Sequence, residues 1–428
     1  MSDLTRVLTV PKEQDTALAI SSDQSGDFIS AYADYADVFE IPRAAHEWVG
    51  TQMIASALNG RVMIEWGGTV PLDLWLMLLS GSGQGRNTTT NVARRILDAA
   101  SLTEGFLRNA SWGSRVAVYQ QIAESPRGLY IWPELSVVMR KLNDRAFSGV
   151  KEWLTDCYDS PVIPSSVTYR RTGKNSDTPP IVFTEAPRLN ILATSSHDWF
   201  TNNLEEADAT GGFIPRWLPI RLDGSTRLIP KPLPFDNRLV RPLADQLAAI
   251  AKLEGQADLC DVEEDYGVWY RKTKARFQAQ PNEALADAFF NRLRIHVVKL
   301  AVIFEVSQSC SLKVSERAMR RAIEAARKIE ATIFALLPTG MNREGSEVEK
   351  MAERVRRAGP AGMLRSQLTL AFSHWKRQDR EGRLRTLTES QTVCSFCRGT
   401  VGRSATVYVH QDHLEAHAKQ HSADRPID

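Results

Sequence analysis

No apolar run in this chain approaches the roughly 20 residues that a membrane-spanning helix requires, so an integral helical membrane protein is not expected. Cysteine is scarce as well: Cys157, Cys260, Cys310, Cys394 and Cys397 are the only five, an odd number without the spacing of a disulfide framework. That usage fits a reducing compartment. Charge of one sign is also missing. Basic side chains exceed acidic ones by a formal +2, too little for composition to announce a nucleic-acid partner, so any DNA contact must come from a local patch. The opening MSDLTRVLTVPKEQD has neither the basic start nor the apolar core of a signal peptide. The expected location is cytoplasmic.

What is present is the composition of a folded protein. A hydrophobic fraction of 43% and a charged fraction of 24% exclude a disordered or collagen-like chain. The length, 428 residues, exceeds what one hydrophobic core usually serves, so two or three domains are expected. There are no internal repeats.

Residues 1–40 are polar and mixed and read as an N-terminal arm. Pro42 then opens a helical pattern, with Trp48, Met53, Ile54 and Leu58 on one side, up to Asn59-Gly60. Arg61 to Trp66 reads as a short strand and Leu72 to Leu79 as a buried parallel strand, followed by a glycine cluster and a helix over Asn91 to Ala100. Further strands are expected at Leu129–Trp132, Val162–Arg170, Ile181–Thr184 and Leu189–Thr194, with Arg171 to Pro180 as a hairpin tip. Strands interleaved with helices give an α/β class, here a core over 41–240. From 241 to 338 the pattern is helical, Thr339 to Ser346 reads as a linker, and 347–428 forms a last domain.

Strand, glycine-rich turn and helix is the arrangement in which a phosphate-binding loop works, because backbone N–H groups at a helix N-terminus face the anion. A P-loop adds a Lys for the β and γ phosphates and a hydroxyl for Mg²⁺. The run here is Ser80-Gly81-Ser82-Gly83-Gln84-Gly85-Arg86-Asn87-Thr88. Ser80 stands for the first Gly, Arg86 for the Lys and Asn87 for the hydroxyl residue, while Thr88 carries a hydroxyl one position late. An arginine can hold phosphate but does not place its charge where an ammonium would. ATP with Mg²⁺ is the cofactor this loop would take; a glycine- and serine-rich surface turn is the alternative. The spacing Gly81-x-Gly83-x-Gly85 is not that of a dinucleotide site.

Downstream, Leu129-Tyr130-Ile131-Trp132-Pro133-Glu134 ends a strand in one carboxylate, with Pro133 where an Asp would bind the metal. Glu134 is the candidate to polarise water. Thr194, in Leu189-Asn190-Ile191-Leu192-Ala193-Thr194-Ser195, is the candidate γ-phosphate sensor. Arg216, in Gly211-Gly212-Phe213-Ile214-Pro215-Arg216-Trp217, is the candidate to stabilise charge in its own or a neighbouring subunit, or else an arginine stacked on Trp217 or Phe213.

The order of these motifs resembles an uncharacterised bacterial and phage family of helicase-like P-loop proteins, often found with primases on mobile elements. The resemblance spans Pro42 to Ala335 and includes Arg292-Leu293-Arg294-Ile295-His296-Val297-Val298-Lys299-Leu300-Ala301. It implies a RecA/AAA+-like core, nucleotide at Gly85, Arg86 and Thr88, Glu134 at the acidic strand end and Arg216 acting in trans. It implies also a homo-oligomer or a subunit of a larger nucleoprotein complex. The departures at Ser80, Arg86, Asn87 and Pro133 fall where hydrolysis is most demanding. The expectation is therefore a degenerate ATPase-like, DNA-binding scaffold or switch in mobile-element replication, transposition or defence; the alternative is an active DNA-dependent motor.

In the last domain three short helical patterns precede a hairpin-like stretch, Thr392 to Val409, a winged-helix arrangement. Arg365, Lys376, Arg377, Arg380, Arg383, Arg385 and Arg403 are the candidate DNA contacts, chiefly to phosphates. Cys394-x-x-Cys397 is followed by His410, His413, His417 and His421. The histidine spacing departs from that of a zinc finger, so the cysteines are assigned to a wing strand and no metal is expected.

Overall fold

In the computed structural model the described residues are 26–58, 60–81, 86–102, 107–109, 112–159, 162–167, 180–197, 200, 211–222, 229–280, 282–340, 343–373, 375–400 and 403–426. By mutual contact the chain divides into two units, Met1–Leu337 and Pro338–Asp428. Among the described residues no helix is long and apolar enough to cross a membrane.

The first unit opens with α1 (Phe28–Ala36), capped by the Asp27 carboxylate. Sequence places this stretch in an arm; instead Phe28, Ile29, Tyr32 and Ala36 are fully buried. The reason is non-local, since Arg321 and Ser307 both bond the Asp27 carboxylate and fasten the helix to distant chain. Next, α2 (Arg43–Leu58) is buried from Ala44 to Leu58 on every side, not along one stripe, because α1 and other helices pack round it. Its polar groups are satisfied: Thr51 Oγ1 donates to Glu47 O at 2.8 Å and Gln52 Nε2 to Leu74 O at 3.1 Å.

β1 (Val62–Glu65) and β2 (Thr69–Pro71) form an antiparallel pair. β3 (Trp75–Ser80) is buried throughout. It begins at Trp75 rather than Leu72 because Asn190 Oδ1 accepts from the Leu74 N–H at 2.9 Å, taking a donor that a ladder would use. Then come α3 (Arg86–Ala99), β4 (Leu107–Asn109), α4 (Arg115–Glu124), β5 (Arg127–Trp132), α5 (Leu135–Leu142), α6 (Val150–Asp159), β6 (Arg188–Ser196) and β7 (Trp217–Arg221). The five strands lie in the order β4-β5-β6-β3-β7, every neighbouring pair parallel. Their carboxyl ends therefore share one edge of the sheet. On one face, the rings of Trp75 and Trp132 each pack on Trp217, at 5.4 and 5.3 Å between centroids, across the small Ala193.

The strands expected at Val162–Arg170 and Ile181–Thr184 reduce, among the described residues, to one bridge, Val167 to Ile181. Pro161, Pro164, Pro179 and Pro180 remove the donors a ladder would need. The hairpin tip expected at 171–180 lies outside the described residues except for Pro180.

α7 (Val240–Ile250), β8 (Gly255–Ala257), α8 (Glu263–Gln278), α9 (Glu283–Ser309) and α10 (Glu316–Gly340) follow. β8 extends β1 in parallel. These helices up to Leu337 belong to the same compact unit as the large sheet. The stretch Thr339–Ser346, read as a linker, is helical apart from 341–342, which are outside the described residues.

The second unit contains α11 (Arg343–Arg357), β9 (Met363–Leu364), α12 (Arg365–Ala371), α13 (Arg377–Glu389), β10 (Val393–Thr400), β11 (Arg403–His410), α14 (Leu414–Gln420) and β12 (Arg425–Pro426). Its sheet is antiparallel in the order β12-β10-β11-β9. Met351, Val355, Leu368, Leu384, Leu387, Val393 and Tyr408 form the core between helices and sheet. Gly362 allows β9 to approach β11: its φ is +69°, and a Cβ there would meet the Val407 side chain at 2.6 Å and the Tyr408 carbonyl at 2.9 Å.

Candidate functional site

At the carboxyl edge of the large sheet, β3 ends at Ser80, and the next helix, α3, opens at Arg86. Of the expected phosphate loop, Gly83 and Gly85 lie outside the described residues; Gly81 follows β3 directly, while Arg86, Asn87 and Thr88 form the first turn of α3. That turn bears no acidic residue. No carboxylate of that turn therefore offsets the positive end of the helix dipole.

Glu134 follows β5 and stands at the N-cap of α5, where its Oε1 accepts from Ser136 Oγ at 2.8 Å. Thr194 lies on β6, the strand between β3 and β5. The three positions therefore share one edge. Thr194 Oγ1 donates to Pro133 O, however, and the residue is fully buried. Its proton is committed to a backbone carbonyl, which makes it a tie between β6 and the Pro133–Glu134 turn.

Arg216 is not at that edge. It immediately precedes β7, so it lies at the amino edge, opposite to Glu134. Its guanidinium is buried, donating to Gly212 O and to the Asp159 carboxylate of its own chain. Gly212 has φ +78°, and a Cβ on it would meet Arg216 Nη1 at 2.6 Å, so glycine is what permits the seat. Within its own chain the partner of Arg216 is a carboxylate from α6.

Round Arg216 the fold gathers a charged cluster that the sequence reading did not assemble. Asp73 pairs with Arg188 at 3.2 Å, both at most 2% exposed. Lys299, on α9, donates to Asp73 O at 2.8 Å and to Tyr158 Oη at 3.1 Å, and Tyr158 Oη lies 2.9 Å from His296 Nε2. Asp159 joins Arg216 to Arg292, the latter at 2.7 Å. Burial pushes the Lys299 ammonium down to about 8, against the pull of Asp73 and Asp159. Burial, with the charges of Lys299 and Arg292, likewise holds His296 well below its ordinary value, so the ring is neutral. Burial raises the Asp73 carboxyl, while Arg188 and Lys299 oppose the rise. A signal existed in the sequence: His296 and Lys299 interrupt an otherwise apolar stretch, Ile295 to Phe304, where an ionisable group must be partnered.

In the second unit the helices and hairpin have the order helix, strand, helix, helix, strand, strand. The candidate DNA contacts divide into two groups. Arg365 is held bidentately by Glu381 at 2.8 and 3.0 Å, Arg380 donates to Phe372 O, and Arg383 lies 4.7 Å over the Trp375 ring. Lys376, Arg377 and Arg385 are exposed and have no ion pair among the described residues. Arg403 opens β11 and its side chain lies outside the described residues. Sequence reading passed over Lys350, Arg354, Arg356 and Arg357, which line a cleft of α11 beside Phe372, Thr392 and His410. Arg356 and Arg357 both bond Glu353 and hold its carboxyl down to about 2.

Cys394 and Cys397 are both on β10, three positions apart and so on opposite faces of the strand. His417 is buried with Nδ1 2.7 Å from Pro360 O, a core histidine. Among the described residues no group of three or more His, Cys, Asp and Glu is arranged to hold a metal. A scan against protein-family models gives no match, and a search of curated proteins gives none.

Proposed function

We propose that this chain is an ATPase-like, DNA-binding protein that works as a scaffold or switch subunit of a nucleoprotein complex, its nucleotide site at the carboxyl edge of the parallel sheet. The observation that carries this reading is the strand order. The strand that feeds the glycine cluster and the strand that ends in Glu134 are separated by one strand, β6, and all three end on the edge where α3 begins. Ligands of open parallel sheets bind outside the carboxyl ends of the strands, at a crevice where successive connections run in opposite directions. Here β3 is followed by connections to β4 on one side and β7 is added on the other, so the crevice falls beside β3.

Loss of the Lys, of the adjacent hydroxyl and of the metal-binding Asp favours binding or switching over rapid hydrolysis. A second reading, a DNA-dependent motor, draws on Glu134, which keeps a carboxylate at the edge where water would be polarised. The DNA contacts are assigned to the second unit, through Lys376, Arg377 and Arg385, in the manner of a winged helix.

The test is ATP binding and ATP turnover by the intact protein, with and without DNA, beside a variant carrying Arg86→Lys and Asn87→Ser. Binding without turnover, with turnover gained in the variant, is the expected result. DNA-stimulated turnover by the natural sequence would make it a motor. Absence of nucleotide binding from both proteins would remove the nucleotide from the proposal.

A further inference from the structure

The amino edge of the sheet carries a cavity of about 240 Å³, on the edge opposite to the carboxyl ends of the strands. It is lined by Thr69–Pro71, the Tyr158–Asp159 turn and one face of α9 bearing Arg292, Ile295, His296 and Lys299. Arg292 and Lys299 are two helical turns apart on that face, with His296 between them. Of its lining residues Arg292 and Lys299 are cationic and Asp159 is acidic; Arg188 and Arg216 adjoin them behind the wall, paired with Asp73 and Asp159. His296 is neutral and Tyr158 keeps its proton. Arg127, which also acts on Asp73, has its own partner in Glu185. Set against the two carboxylates of Asp73 and Asp159, the four cations leave an excess of two positive charges, most of it buried.

Buried charge without a counter-charge is costly. Moreover, the donor Arg216 Nε is buried with no protein partner. We propose that this cavity binds a small molecule bearing a phosphate group, with Lys299 at its floor and Arg292 at its more exposed mouth. A phosphate dianion matches the excess of two charges. It takes hydrogen bonds from a guanidinium fork and an ammonium together, and the volume admits a phosphomonoester of only a few further atoms.

The test is isothermal titration of the full chain with inorganic phosphate and with glycerol 3-phosphate, ionic strength held constant with sodium chloride. Four variants separate the sites. Arg292→Gln, at a partly exposed position, should weaken phosphate binding by about tenfold or more. Lys299→Met keeps the side chain's length and should abolish binding. Asp159→Asn removes a competing negative charge and should tighten it. Arg86→Ala, in the expected nucleotide loop, should leave it unchanged. Should Lys299→Met fail to fold, the opposite responses of Arg292→Gln and Asp159→Asn still decide. Preference for glycerol 3-phosphate over inorganic phosphate would assign the ligand to the phosphomonoesters; the reverse would assign it to the free ion. No binding by the natural protein, binding indifferent to Arg292→Gln, or binding lost in Arg86→Ala would overturn the proposal.

Discussion

Arg216 donates to the carboxylate of Asp159 in its own chain, and the other oxygen of that carboxylate accepts from Arg292 at 2.7 Å. One acidic side chain at the end of α6 thus fixes two guanidiniums at the amino edge. Replacing Arg216 with Ala should lower stability by about 2 kcal/mol, less than a fully buried pair would lose because Asp159 is partly exposed. The measurement is urea unfolding followed by tryptophan fluorescence. In the Arg86→Lys, Asn87→Ser background, which should turn over ATP, mixing Arg216→Ala with Glu134→Gln subunits distinguishes this anchoring role from a trans-acting one. No activity should return on mixing, and recovery of turnover would restore the trans-acting reading.

Asn190 sits on β6 with its amide oxygen on the Leu74 N–H and its amide nitrogen 3.4 Å from Ala55 O. It is fully buried. Asn190→Leu keeps the branched outline of the side chain but leaves the Leu74 donor without an acceptor, at a cost of about 2 kcal/mol. The midpoint of urea unfolding should fall with its slope unchanged. A midpoint equal to that of the natural protein would mean that another acceptor reaches Leu74.

The parts of the fold readable from sequence are those with local periodicity. The apolar run ending at Leu79 has no polar face, and it is the buried β3; the alternation through Val393 to Val409 is the β10–β11 hairpin. Helix starts were displaced where the cause is non-local. α1 is invisible as a core helix because its anchors, Ser307 and Arg321, lie far along the chain. The amino-edge cluster was missed for the same reason. Asp73, Tyr158, Arg188, Arg216 and Lys299 come from separate elements and become neighbours only when the sheet order is known. Arg216 precedes its strand and Glu134 follows its own, so motif order alone does not show that they lie on opposite edges.

His296 and Lys299 predict the pH dependence of stability. His296 has its folded value well below 6.5, so as pH falls through 6.5 the unfolded chain takes a proton that the folded one refuses. Stability from this group is fully present above 6.5 and is lost below it, at about 1.4 kcal/mol per pH unit. For Lys299 the folded value is about 8 against an ordinary 10.5, so the folded state releases its proton first and stability rises with pH across that window. Urea unfolding from pH 5 to 10 should show both limbs. His296→Gln should flatten the lower and Lys299→Met the upper; slopes indifferent to both substitutions would mean that neither group is held as its surroundings require.

Arg385 and Arg365 separate the basic groups of the second unit by what they are already bonded to. Arg385 is exposed on α13 without an ion pair, whereas Arg365 is held by both oxygens of Glu381. A cation that must leave a carboxylate to reach a phosphate gains little, since one ion pair replaces another. Arg385→Ala should therefore weaken binding to duplex DNA and lower the slope of log K against log salt by about one unit. Arg365→Ala should change the slope by much less, and freeing its partner should make Glu381→Gln strengthen binding. Fluorescence anisotropy across a salt series reads all three. Equal losses for Arg365→Ala and Arg385→Ala would mean that the Arg365–Glu381 pair opens on DNA, and no loss for either would move the DNA contacts off α12 and α13.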